Sequence, residues 1–172
     1  MHVNFTGRAA GPILNEGGSG SNFLCLPGDP EWGDSFGGDK YIGRIGGIEY
    51  EFFNNDNNVF DESNTGGIAL ADHPVPCALC YVNRNTAVMI PAKRQCPDGW
   101  TVEYDGYLAS EGSSDATRKR SSYVCCDRAP EITDGATIQN NAILYPVAAV
   151  CGTLPCSIYP TGKEMTCVVC SK

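Results

Sequence analysis

Apolar residues along this chain fall in short runs that often alternate with polar ones, and Gly, Pro, Asn and Asp punctuate them. That period predicts strands over His2–Thr6, Ser21–Leu26, Gly47–Phe53, Thr86–Ile90, Thr101–Asp105, Ser122–Cys126 and Ala142–Val147. Several are enriched in β-branched and aromatic residues, which suit a pleated, half-buried surface. No window holds a helical period beyond about two turns. With 20 glycines and 11 prolines in 172 residues, turns are frequent and long helices are not expected. The pattern predicts an all-β domain whose loops do the recognition.

The pattern also repeats. Val3-Asn4-Phe5-Thr6-Gly7-Arg8-Ala9-Ala10 is answered by Val102-Glu103-Tyr104-Asp105-Gly106-Tyr107-Leu108-Ala109. Ser21-Asn22-Phe23-Leu24-Cys25 is answered by Ser121-Ser122-Tyr123-Val124-Cys125, and Pro30-Glu31 by Pro130-Glu131. Ile48-Glu49-Tyr50 resembles Ile143-Leu144-Tyr145, and each half closes on a CxxC, Cys77/Cys80 and Cys167/Cys170. These matches keep one order, which predicts two related lobes, residues 1 to about 82 and about 96 to 172. The expectation is a disulfide-rich, two-lobed, β-sandwich-like domain built by internal duplication.

Ten cysteines in so short a chain are a heavy load. A zinc ribbon built from the two CxxC pairs would leave six of them unexplained, and only His2 and His73 could help. A redox CxxC would open a helix in a βαβ unit, which the pattern does not contain. Disulfides are therefore expected for Cys25, Cys77, Cys80, Cys96, Cys125, Cys126, Cys151, Cys156, Cys167 and Cys170. Their pairing stays open. Adjacent Cys125 and Cys126 would point to opposite faces of a strand. Cys126 also lacks a counterpart in the first lobe, where Leu26 stands. Cys126 facing outward to cross-link a second chain is one account of this doublet, and two internal bonds are another.

Disulfides imply a secreted, extracellular protein. Met1-His2-Val3-Asn4 has neither the basic start nor the apolar run of a leader, so the mature chain is expected. Asn4-Phe5-Thr6 is a glycosylation acceptor sequence. No apolar stretch is long enough to span a bilayer, so membrane insertion is not expected. A formal charge of −8 argues against a nucleic-acid partner, which needs a positive face. The one basic cluster, Arg118-Lys119-Arg120, reads as a solvated loop.

Enzymatic chemistry finds little to stand on. His73 sits in the turn-like Asp72-His73-Pro74-Val75-Pro76, and no GxSxG, Walker or HExxH motif is present. Oxygen-rich loops are plentiful, and they suit calcium, which takes hard oxygen ligands. Three qualify: Asn54-Asn55-Asp56-Asn57-Asn58 with Asp61-Glu62; Asp127 to Asp134 with Gln139-Asn140-Asn141; and the first-lobe counterpart Asp29-Pro30-Glu31-Trp32-Gly33-Asp34. Exposed acids in ordinary turns account for the same residues. The second loop follows a disulfide-anchored strand and would be held rigidly, so Asp127, Glu131, Asp134 and Asn140 are the expected calcium ligands. A sugar adds an apolar face to its hydroxyls and so wants an aromatic platform. Glu31, Trp32, Trp100 and Asn141 are the candidate sugar contacts, although a tryptophan is more often core than platform.

Several segments together resemble a known family. They are Gly18-Ser19-Gly20-Ser21-Asn22-Phe23-Leu24-Cys25-Leu26-Pro27, Asp29-Pro30-Glu31-Trp32 and Pro76-Cys77-Ala78-Leu79-Cys80. With them go Met89-Ile90-Pro91-Ala92, Cys96-Pro97-Asp98-Gly99-Trp100-Thr101, Cys151-Gly152-Thr153-Leu154-Pro155-Cys156 and Thr166-Cys167-Val168-Val169-Cys170. They look like the cysteine-rich domain of the cnidarian, sponge and mollusc proteins labelled short-chain collagen-like. No collagen Gly-X-Y run is present, and in size the chain is similar to the Ca2+-dependent galactose-binding lectins of sea anemones within that family. The resemblance implies a disulfide-linked homodimer that binds terminal β-galactose, as in lactose-type glycans, through a calcium ion. It implies a lectin and not an enzyme. A structural matrix domain without sugar binding, and a secreted hydrolase using a carboxylate pair, are the competing readings.

Overall fold

Nine strands carry the chain among the described residues, which are 2–16, 18–33, 42–51, 59–112, 118, 120–133, 135–136 and 141–172 of a computed structural model. In order they are β1 (His2–Gly11), β2 (Leu24–Pro27), β3 (Gly46–Tyr50), β4 (Pro76–Tyr81), β5 (Ala87–Pro91), β6 (Thr101–Ser110), β7 (Val124–Asp127), β8 (Ala142–Pro146) and β9 (Thr166–Ser171). One 3-10 turn, Glu62–Thr65, opens on Asp61, whose carboxylate accepts from the Ser63 amide, and closes on Gly66 in the left-handed region. The domain is disulfide-rich and all-β. None of its described helices is long and apolar enough to cross a membrane.

The strands form one curled sheet in the order β2-β1-β3-β8-β6-β9-β5, with β4 on β1 and β7 on β6. β1 pairs with β2 from Gly7↔Pro27 to Ala10↔Leu24, and β6 pairs with β7 from Gly106↔Asp127 to Ala109↔Val124. β1 pairs with β4 from His2↔Tyr81 to Arg8↔Pro76, with a bulge between Val3 and Phe5. β6 pairs with β9 from Thr101↔Ser171 to Tyr107↔Thr166, with a bulge between Val102 and Tyr104. The registers therefore correspond strand by strand, Gly7 to Gly106, Pro27 to Asp127 and Cys77 to Cys167. Asn4 and Glu103 are the extra residues of the two bulges. Asn4, in the glycosylation sequence, is exposed, whereas Glu103 accepts from the Ser171 hydroxyl and pairs with Arg84 at 3.3 Å.

Both long strands cross their neighbours at a glycine for the same reason. A Cβ on Gly7 would overlap the Leu26 carbonyl oxygen, and one on Gly106 the Cys126 carbonyl oxygen. Only a residue without a side chain lets β2 and β7 approach so closely.

The third strands correct one sequence match. The Tyr50 amide donates to His73 (3.0 Å) where that of Ala149 donates to Lys163 (2.8 Å). Val75 donates to Ile48 (2.9 Å) where Met165 donates to Val147 (2.8 Å). Ile48-Glu49-Tyr50 thus corresponds to Val147-Ala148-Ala149 and not to Ile143-Leu144-Tyr145. The two stretches look alike because both line one core: β3 and β8 pair in parallel from Ile48↔Ala142 to Tyr50↔Leu144 and join the lobes there. That core centres on Ile48, Tyr50, Leu70, Ala109, Cys126 and Leu144.

Four disulfides staple the chain. Cys25–Cys77 and Cys125–Cys167 occupy equivalent places in the two lobes, while Cys96–Cys170 and Cys151–Cys156 lie in the second half of the chain. The expectation of ten oxidised cysteines fails within the chain at Cys80 and Cys126, which are thiols. The cross-linking role considered for Cys126 is also overturned. The doublet does split between faces, but Cys125 takes the disulfide and Cys126 enters the core, only 8% exposed. Burial, with Asp127 nearby, pushes its thiol up to about 12. An inert buried thiol is not available to a second chain.

Candidate functional site

The loop that follows β7 is held from both sides. The Cys125–Cys167 disulfide anchors its start. Asp127 then turns the chain, its Oδ1 accepting from the Ala129 amide at 2.9 Å. The Asp61 amide donates to the Arg128 carbonyl (2.8 Å), and Asn64 Nδ2 to the Ala129 carbonyl (2.7 Å). The Tyr50 hydroxyl donates to the Glu131 carbonyl at 3.0 Å, and Arg8 Nη1 to Thr133 Oγ1 at 3.1 Å. Pro130 is buried, and Ile132 packs against the core. Main-chain groups are thus engaged along the loop, while the Asp127 and Glu131 side chains are exposed. Burial raises the Tyr50 hydroxyl pKa, and Cys126, Glu131 and Asp127 raise it further, so this tyrosine remains a neutral donor. Of the other expected ligands, Asp134 and Asn140 lie outside the described residues, as do Asn54 to Asn58.

The first-lobe counterpart is built differently. Residues 27–33 are exposed throughout, and Trp32, at the position of Ile132, is 87% exposed. Glu31 is exposed beside it. Trp32 is therefore not a core residue. Trp100 is half-buried and closes a turn, its amide donating to the Pro97 carbonyl at 3.1 Å. It precedes the Thr101 end of β6, whereas Asp127 pairs with Gly106 further along that strand. Asn141 packs its Cβ against Gly46, and its carbonyl accepts from the Leu14 amide at 2.5 Å. The structure thus holds Asp127 and Glu131 on one loop, places Glu31 and Trp32 together on its counterpart, and sets Trp100 and Asn141 among other contacts.

A second polar centre was not foreseen from sequence. Glu111 accepts from the Gly112 amide (2.9 Å) and Arg118 Nη1 (3.2 Å) through Oε1, and from the Ile143 amide (3.3 Å) through Oε2. Arg118 lies over the Tyr145 ring, 5.2 Å from its centroid. Arg118 is therefore a partly buried ion-pair member and not the solvated charge its cluster suggests, while Arg120 is exposed and Lys119 lies outside the described residues. Glu111 and Arg118 stand 7 residues apart and meet only in the fold, so no local motif marks the pair. Glu51 lies within electrostatic reach, its Oε2 buried without a hydrogen-bond partner among the described residues.

Burial and then Asp72 raise the Glu51 pKa, with Glu49 and Glu111 adding to this and Arg118 opposing it. Burial also raises that of Glu111, against its hydrogen bonds. A carboxyl whose folded pKa is raised contributes stability that is complete below its unfolded pKa and is lost as pH rises through the folded pKa. Glu51→Gln should therefore raise the melting temperature at pH 7 and leave it unchanged near pH 3, as followed by thermal melts across that range. An equal shift at both pH values would show that the charge of Glu51 is not responsible.

Among the described residues no group of three or more His, Cys, Asp or Glu side chains is gathered tightly enough to hold a metal ion. His73 Nδ1 lies 2.9 Å from the Ala71 carbonyl, within its own turn. Comparison of the chain with protein-family models, with curated proteins and with solved structures returned no match.

Proposed function

We propose that this protein is a secreted, calcium-dependent lectin for terminal β-galactose, related to the sea-anemone lectins it resembles. The observation that carries this reading is the clamped loop after β7. Its backbone is fixed by neighbours from β3 and the Asp61–Asn64 segment, and Arg8 of β1 holds the Thr133 side chain, while the Asp127 and Glu131 side chains are exposed. Fixed oxygen donors suit calcium, which takes about 6–8 of them. Two carboxylates are a partial shell, leaving positions for Asp134, Asn140, water and a sugar diol. When bound, the ion would supply direct coordination of two vicinal hydroxyls. Asp127 and Glu131 would then orient those hydroxyls by accepting their protons in hydrogen bonds. Trp32 offers an exposed indole face to the apolar side of a pyranose, with Glu31 beside it as a hydrogen-bond acceptor.

The test is agglutination of galactose-bearing cells, and retention on immobilised lactose, with and without EDTA. Both activities should vanish with EDTA, return with added Ca2+, and be inhibited by free lactose. Asp127→Asn with Glu131→Gln should weaken calcium binding about tenfold or more, the scale on which disturbed metal sites lose affinity. Trp32→Ala should weaken glycan retention without changing the melting temperature, because an exposed side chain supports little of the fold. Activity indifferent to both EDTA and lactose would remove the proposal.

A further inference from the structure

One asparagine in the chain is followed at the second position by Ser or Thr, and it is Asn4, in Asn4-Phe5-Thr6. The fold sets that asparagine apart. It is the extra residue of the β1 bulge, between Val3, which pairs with Cys80, and Phe5, which pairs with Leu79. A bulge residue stands outside the cross-strand ladder, so a large group on it displaces no pairing contact. Asn4 and Thr6 are both exposed, and among the described residues no hydrogen bond engages the Asn4 side chain. Glu103, at the same place in the second lobe, has a nearly buried side chain held by Ser171 and Arg84. The register counterpart of Ser171 is Tyr81, which is exposed and leaves Asn4 without such a partner.

The surroundings of the two bulges differ in the same sense. In the second lobe β5 covers the outer edge of β9 from Ala87↔Ser171 to Pro91↔Cys167. Among the described residues β4, the counterpart of β9, pairs with β1 alone. Strand edges of this kind are ordinarily guarded by charge or by a covering element. Pro76-Cys77-Ala78-Leu79-Cys80-Tyr81 carries no charge, and Val3, Leu79 and Tyr81 are 59%, 49% and 54% exposed.

We propose that Asn4 carries an N-linked oligosaccharide, and that this glycan covers the apolar surface formed by Val3, Leu79 and Tyr81. This rests on the export part of the reading above and not on sugar binding. The donor is an oligosaccharide linked to a lipid pyrophosphate, met during export. Asn4 Nδ2 bonds to the anomeric carbon of the first sugar, and the bond from that carbon to the pyrophosphate oxygen breaks. Nδ2 gives up one proton, the lipid pyrophosphate leaves, and no electrons are exchanged. Neighbouring strands lie about 4.8 Å apart. A glycan is bulky and solubilising, so from Asn4 it reaches side chains one strand away.

The test uses the full chain secreted from animal cells. It should run above 18.4 kDa and fall to that mass on enzymatic removal of N-glycans. Peptide mapping after removal in heavy-oxygen water should mark Asn4 and no other asparagine. Asn4→Gln and Thr6→Ala should abolish the modification, and Thr6→Ser should retain it. Light scattering in EDTA, which keeps calcium-dependent self-recognition out of the readout, should give a larger mean mass for Asn4→Gln than for the glycosylated protein. Adding Leu79→Lys to Asn4→Gln should reverse that gain. A secreted chain with Asn4 unmodified would overturn the assignment. Equal association with and without the glycan would overturn its covering role. Endoglycosidase trimming of the folded, unaltered protein gives the same comparison if Asn4→Gln fails to fold. Lactose binding enters none of these readouts, so this inference and the lectin reading fail separately.

Discussion

Alanine at Gly106 should destabilise the protein by about 3 kcal/mol or more, at the upper end of what overpacking costs. The added methyl has nowhere to go. It would meet the Cys126 carbonyl oxygen, with the Arg128 amide nitrogen 2.8 Å away, and both are backbone atoms that cannot rotate aside. β7 would have to move, and with it the Cys125–Cys167 bond and the loop bearing Asp127. Gly7→Ala should do the same in the first lobe through the Leu26 carbonyl. Gly47→Ala is the control, because its Cβ would enter open space. The check is urea denaturation of the purified, disulfide-intact protein, with a large fall in midpoint or loss of yield for Gly106 and Gly7 and a near-neutral result for Gly47. A near-neutral Gly106→Ala would mean that the strands are further apart than described.

Removing the Cys125–Cys167 pair, both to alanine, should cost about 4 kcal/mol by the loop-entropy relation, since the bond closes a separation of 42 residues. That is a large part of the 5–15 kcal/mol that typically holds a domain together. Cys167 is fully buried, so the loss of packing adds to the loss of the cross-link. Removing Cys151–Cys156, which spans only 5 residues, should cost about 2 kcal/mol or less. Denaturant midpoints of the two double variants give the comparison directly. Equal losses would mean that unfolded-chain entropy does not govern these bonds.

Most strands were legible because their alternation survives in the sequence, and the errors have physical causes. β1 and β6 run to Gly11 and Ser110, beyond the expected ends at Thr6 and Asp105. Gly7 and Gly106 look like strand breakers there, yet they are present for close approach and not for turning. β4 and β9 were seen only as CxxC motifs. β9 lies between β5 and β6 and is buried along most of its length, so it lacks the alternation of a half-exposed strand. The pairing Cys25–Cys77 and Cys125–Cys167 follows the repeat, but no local spacing announces it.

The candidate site was legible in part. Asp127 and Glu131 stand on a rigid loop because the strand before it is disulfide-anchored, which the sequence did indicate. What it concealed were the distant clamps, Asn64, Tyr50 and Arg8, separated from the loop by dozens of positions. Trp32 and Ile132 occupy equivalent places yet differ in burial. One loop docks on the Asp61–Asn64 segment, whereas the described residues 27–33 of the other are exposed throughout, a tertiary difference absent from either stretch alone. Glu111 and Arg118 show the same limit, since a charge in a basic run became a partly buried partner only through Glu111, itself held by Ile143, and the Tyr145 ring.

The most direct test of the calcium-bridged sugar reading is titration calorimetry of lactose into the disulfide-intact protein, first calcium-loaded and then stripped of metal by a chelator. The account predicts saturable heat in the loaded protein, none after stripping, and recovery when Ca2+ is restored. Equal lactose binding in both states, or none in either, would contradict it.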